Sequence, residues 1–206
     1  MKRLTLGLWL LMLGSLMMSS CTKNDESTIA LIGTEYYIDD ILSVIPDSLQ
    51  TQFFAQFGSI PEGPVPPKIE GEYVVARKVR VASNLPGWSL QAVEPNTYLR
   101  FTRQHNGIVT LNLNEISENV TDTVFVCGDG QNFAAYYIEN MEYELGRVKR
   151  GVVIKGQKTE QGLSGFRFAQ VIMETEDYSN GQYPPSPVGT YYIYKDEDGL
   201  AENFDW

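Results

Sequence analysis

The sequence predicts a mostly β protein: an antiparallel barrel of about eight strands preceded by two short helices. Three observations predict it. From residue 69 onward, apolar and polar side chains alternate with period two, the spacing of half-buried strands. Turn signals recur between these segments, and no strong helical period falls among them. These signals fit an antiparallel sandwich or a barrel; the barrel is preferred because consecutive hairpins need no Greek-key crossing, and eight up-and-down strands can close on themselves and remove exposed edges.

Each element follows in order. Tyr37, Ile38, Ile41, Leu42 and Ile45 fall at helical spacing, and Pro46 stops that run. Asp47 and Ser48 are placed to cap a second helix with Leu49, Phe53, Phe54 and Phe57 on its apolar side and Gly58 as C-cap. Residues 60–67 carry Pro61, Pro64, Pro66 and Pro67 and read as a stiff, extended linker.

The strands begin with Tyr73, Val75, Arg77, Val79 and Val81, alternating with Val74, Ala76, Lys78 and Arg80. Leu99 and Phe101 lie on one side of the Asn106, Gly107 turn and Val109, Leu111 and Leu113 on the other, a hairpin signature. Residues 123–127 and 133–138 are strands around Gly128, Asp129 and Gly130. Residues 143–155 and 163–174 form a long hairpin, and residues 190–195 form the last strand, ending at Asp198 and Gly199. Phe166, Phe168 and Ile172 alternate with Ala169, Val171 and Met173, so this segment is apolar on both faces. Two-sided burial needs a cover, which the N-terminal helices are expected to give, on the outside of the barrel or across its mouth.

The chain opens with Lys2 and Arg3, a mostly apolar run over residues 4–18, and Ser19 and Ser20 before Cys21. This is the layout of a secretory signal peptide, and the run is short of the about 20 residues that span a membrane. Leu16, Met17, Met18, Ser19, Ser20 and Cys21 resemble the lipobox of bacterial lipoproteins, with Met18 where leucine, valine or isoleucine is usual. The resemblance implies a diacylglycerol on the Cys21 thiol, cleavage before it, and an acylated new amino terminus. Several chains hold a protein where one binds only reversibly. Residues 22–27, with Asp25 and Glu26, resemble the acidic export signal of surface lipoproteins in the Bacteroidetes; a plain solvated tether is the alternative. The expected organisation is a signal peptide at 1–20, a tether at 21–34, a helical extension and Pro-rich linker at 35–66, and a barrel at 67–206.

Composition narrows the function classes. The 206-residue chain has 16 basic and 26 acidic side chains, and loss of Lys2 and Arg3 makes the mature chain more acidic still. That balance opposes nucleic-acid binding and an electrostatic grip on anionic lipid. With Cys21 committed to lipid, Cys127 has no disulfide partner and reads as a buried thiol within a strand. His105, the only histidine, sits in a polar hairpin tip, which leaves no histidine-based triad. No metal cluster or phosphate loop is present in the sequence, so neither a metal nor a cofactor is expected. The acidic run at residues 196–202 lacks EF-hand spacing and reads as an Asp-Gly turn.

Gly71 and Tyr73, just before the first long strand, resemble the Gly-x-Trp motif of lipocalin-like (calycin) barrels, with tyrosine for tryptophan. Residues 151–156 and 165–169 are similar to late strands of lipocalin-like lipoproteins from Bacteroides, and the resemblance covers roughly residues 65–200. It implies that Tyr73 seals the closed barrel end. Family members lay an arginine from the last strand over this aromatic; here Lys195 is the nearest substitute. The expected function is a membrane-anchored, non-catalytic lipoprotein of the outer membrane, facing the periplasm or the cell surface. It would bind a small apolar or amphipathic ligand through Tyr73, Trp88, Phe101, Phe166 and Phe168. The alternative is an accessory surface lipoprotein with a filled barrel, acting through protein or glycan contacts.

Overall fold

The computed structural model describes residues 45–61, 63–115, 118–143, 146–176 and 186–205. Cys21, the signal and tether segments, Trp206 and all of the first expected helix except Ile45 lie outside these residues.

Helix α1 (Asp47–Phe57) is the second expected helix. Pro46, not Asp47 or Ser48, holds the N-cap position, and no side chain caps it. Asp47 stands in the first turn instead, where a carboxylate suits the positive helix end. Gly58 ends the helix as expected, donating its N–H to Phe54 O at 2.8 Å with φ of 84°. The linker that follows is not free. Its β1 (Pro64–Val65) pairs in parallel with β7 (Glu118–Asp129).

The barrel comprises β2 (Gly71–Val75), β3 (Lys78–Ser83), β5 (Thr97–His105), β6 (Ile108–Glu115), β7, β8 (Asn132–Tyr143), β9 (Gly146–Lys158), β10 (Gly162–Glu176), β11 (Tyr191–Asp196) and β12 (Leu200–Asn203); the short β4 (Val93–Glu94) flanks β3. Two pairs of these are single strands with a bend. β2 and β3 are one strand, pairing first with β5 and then with β11. β11 and β12 are another, and both pair with β10 while β12 also pairs with β2. The result is a closed eight-stranded antiparallel barrel. The last strand therefore does not end at Asp198 and Gly199. The chain turns there and resumes at Leu200.

Two apolar layers follow from the alternation. The inner one includes Tyr73, Phe101, Phe133, Phe166 and Phe168, and each of its buried residues is 7% exposed or less. The outer one joins Phe53 and Phe57 of α1 to Ala134, Val153, Ala169, Val171 and Ile193 on the outside of the wall. The helix thus covers the outer wall and does not plug an end, which explains the two-sided apolar pattern of β10. Phe53 stands edge-on to Tyr191, with centroids 5.5 Å apart. At the helix C-terminus, Arg167 donates to Gln56 O at 2.8 Å, and Lys155 donates to Ser59 O at 2.8 Å. Cations at carbonyl ends suit the helix dipole. Burial and the neighbouring Arg167 push the Lys155 ammonium down to about 8.

Gly162 makes the β10–β12 seam possible. Its φ is 148°, and a Cβ there would meet Ala201 O at 2.1 Å. Gly162→Ala should destabilise the fold by more than about 1 kcal/mol, since the strain and the backbone clash act together. Gly87→Ala, with positive φ but nothing within 4 Å, should cost less. Thermal unfolding of both variants tests the order.

Candidate functional site

Successive connections alternate between the barrel ends. The β5–β6, β7–β8 and β9–β10 turns share the end where β2 begins and β12 finishes. That end is sealed. Tyr73 is fully buried, and its hydroxyl donates to Ile69 O at 3.0 Å and accepts from Lys158 Nζ at 2.8 Å. The Lys158 ammonium lies 4.8 Å from the ring centroid, a cation–π contact. Burial pushes the Tyr73 phenol up to about 12 and the Lys158 ammonium down. The cation over Tyr73 is therefore Lys158, at the end of β9, and not Lys195, whose Nζ donates to Glu197 O. Lys158 lies three residues beyond the strand end expected from the alternation, at residue 155.

The five residues expected to bind ligand separate into two groups. Tyr73, Phe101 and Phe166 fill the interior, with Tyr73 and Phe101 centroids 6.1 Å apart. Phe168 lies higher in the barrel, 6.0 Å from Tyr194. Trp88, in the connection between β3 and β4 at the opposite end, is 46% exposed. Its ring meets Tyr192, an interior residue, at 5.1 Å.

Between Trp88 and the interior lies Arg80. It is 7% exposed, with its guanidinium 4.5 Å from Trp88 and 5.6 Å from both Tyr192 and Tyr194. It pairs with Glu94 of β4, while its Nε is buried with no hydrogen-bond partner among the described residues. Lys78, one inward position below, lies 5.1 Å from Tyr194 and 5.7 Å from Phe168. Two buried cations walled by four aromatic rings thus stand under the rim that Trp88 covers. Such a set can hold a polar or anionic group next to an apolar body.

Lys78 and Arg80 were not foreseen as site residues. Simple alternation puts them on the face opposite Tyr73 and Val75. The bend at Ala76 and Arg77, with Arg77 at φ of 55°, shifts the phase and turns both inward. Arginine is an unusual residue at positive φ, and the sequence holds no glycine that would announce the bend.

A second recess, about 420 Å³, lies at the sealed end between Ser59, Pro61 and strands β8–β10, with Asp129, Asn132, Lys155 and Gln157 among its walls. Its acid is spoken for. Asp129 accepts from the N–H groups of Gln131 and Asn132 and from the Asn132 amide, which hold its carboxyl below the usual range. Cys127 is buried, its thiol directed at Pro61 O and Ala134 O. His105 is exposed at the end of β5. In the acidic turn Asp196 is 2% exposed, accepts from Asp198 N at 3.3 Å, and leaves Oδ2 without a hydrogen-bond partner among the described residues. Burial, then the neighbouring Asp198 carboxyl, pushes Asp196 up to about 7.

Fold and site together define a closed antiparallel barrel, sealed at one end and bearing an aromatic–cationic mouth at the other. The chain matches no family model, no curated protein and no solved structure.

Proposed function

We propose that this chain is an outer-membrane lipoprotein with a lipocalin-like barrel, anchored through Cys21, that binds an amphipathic small molecule at its mouth without chemistry. The observation that carries the reading is Arg80, buried beneath a half-exposed Trp88 and flanked by Tyr192 and Tyr194. The sealed end with Lys158 over Tyr73 supports the lipocalin-like assignment. The interior apolar residues are buried, and in this reading the ligand sits shallowly, its polar group toward Arg80 and its apolar part under Trp88. No cofactor and no nucleic acid enter this reading.

Native mass spectrometry of the protein isolated in mild detergent, against its denatured mass, tests it. A reproducible excess mass is expected, and Trp88→Ala should reduce occupancy about tenfold, as loss of a stacking aromatic does. One observation favours a second reading: each interior apolar residue is 7% exposed or less. In that reading the barrel is an inert core and its outer surface meets a protein or glycan. Absence of any excess mass favours it.

A further inference from the structure

The chain reaches the barrel at its mouth end. Leu49, in the first turn of α1, lies 3.4 Å from where a Cβ on Gly189 would stand, while the helix C-terminus is tied down by Arg167 and Lys155. Gly189 belongs to the β10–β11 connection, which Asn84 binds to the β3–β4 connection through Gly189 O at 2.9 Å and Tyr191 N at 2.9 Å. These two connections expose Trp88, Leu90 and Val188 at 46%, 52% and 57%. The tip of the first is Pro86, Gly87, Trp88, Ser89 and Leu90, with Gly87 at φ of 80° turning the chain. An exposed tryptophan beside aliphatic side chains is the chemistry that seats at a bilayer interface, where an apolar ring and its polar N–H are both satisfied.

We propose that this rim docks on the surface of the same bilayer that holds the lipid on Cys21, so that the mouth of the barrel faces the membrane. The proposal rests on the lipoprotein reading. The 25 residues from Cys21 to Ile45 span at most about 90 Å when extended, and they join the barrel on the side that carries the apolar tip. The acidic chain gives no electrostatic pull on anionic lipid, so the contact is apolar and insensitive to salt. A mouth placed there takes its amphipathic ligand from the bilayer.

The test uses the full chain produced in a lipoprotein-processing host and reconstituted in phosphatidylethanolamine–phosphatidylglycerol vesicles whose acyl chains carry bromine. Of Trp9, Trp88 and Trp206, the first leaves with residues 1–20. In W206F, Trp88 emission should be quenched at least twofold relative to unbrominated vesicles; in W88F the remaining tryptophan should change little. Leu90→Asp in the W206F chain should cut that quenching by half or more with an unchanged near-ultraviolet spectrum. Intact mass of the same sample reports acylation of Cys21. Acylated protein whose Trp88 is unquenched overturns the docking and leaves the lipoprotein reading standing, whether Trp88 is open to acrylamide or shielded by a second protein copy. Protein without acyl chains overturns the lipoprotein reading, and the docking with it.

Discussion

Tyr73→Ala should lower the free energy of unfolding by about 3–5 kcal/mol, the range for truncating a buried aromatic. Tyr73 is fully buried at the sealed end, so the cavity cannot be filled by solvent from outside without opening the seal. The truncation also strands polar groups. Ile69 O and Lys158 Nζ both lose the phenol, and the ammonium loses the ring beneath it. Tyr73→Phe separates the contributions: it keeps the ring and removes the hydroxyl, and should cost about 1–3 kcal/mol. Denaturant unfolding of the two variants checks both numbers. A Tyr73→Ala cost below that of Tyr73→Phe would mean that the seal does not carry stability.

Asp196 should make the protein less stable as the pH rises from about 4 to about 7, opposite to the usual behaviour of a carboxylate. Its folded pKa lies near 7, and an unfolded aspartate titrates near 4. Between these values the folded chain binds the proton more tightly, so unfolding releases it and stability falls with each step in pH. Below about 4 the contribution is fully present; above 7 it is gone. Three pH units correspond to about 4 kcal/mol at most. Glu70, Asp129 and Asp198 are held below their usual values, so their contribution is lost only as pH falls below about 4, outside this window. Asp196→Asn mimics the protonated acid at every pH. It should leave stability below about pH 4 nearly unchanged, raise it progressively above that and most at pH 8, and flatten the slope between them. An equal slope in the variant would assign the effect to another group.

The β class was legible because alternation is a local property, and so was α1, whose Leu49, Phe53, Phe54 and Phe57 mark one face. The apolar outer face of β10 announced a cover, and α1 supplies it. What α1 covers was not legible, since a helical period says which side is apolar and not which surface it meets. The inward cations were hidden for a different reason. Lys78 and Arg80 follow Tyr73 and Val75 across a bend made by Ala76 and Arg77, and no residue type there encodes the phase change. β12 was missed because Leu200, Ala201, Glu202 and Asn203 are too few to show a period. Trp88 was legible as a candidate ligand contact, but its place over Arg80 depends on the bend.

The two bent strands also set an order on synthesis. Closure needs β3 against β11 and β2 against β12, partners such as Lys78 and Asp196 that lie over a hundred residues apart. Synthesis, and export after it, deliver the first of each pair early and the second last. Until residue 203 has emerged, the edge of β2 that β12 will occupy and the edge of β3 that β11 will occupy stay open to other chains. Such long-range pairing is slow and exposed to aggregation while it waits. A chaperone acting on this protein would therefore have most effect on chains delivered only as far as residue 190, and almost none once β11 and β12 are free.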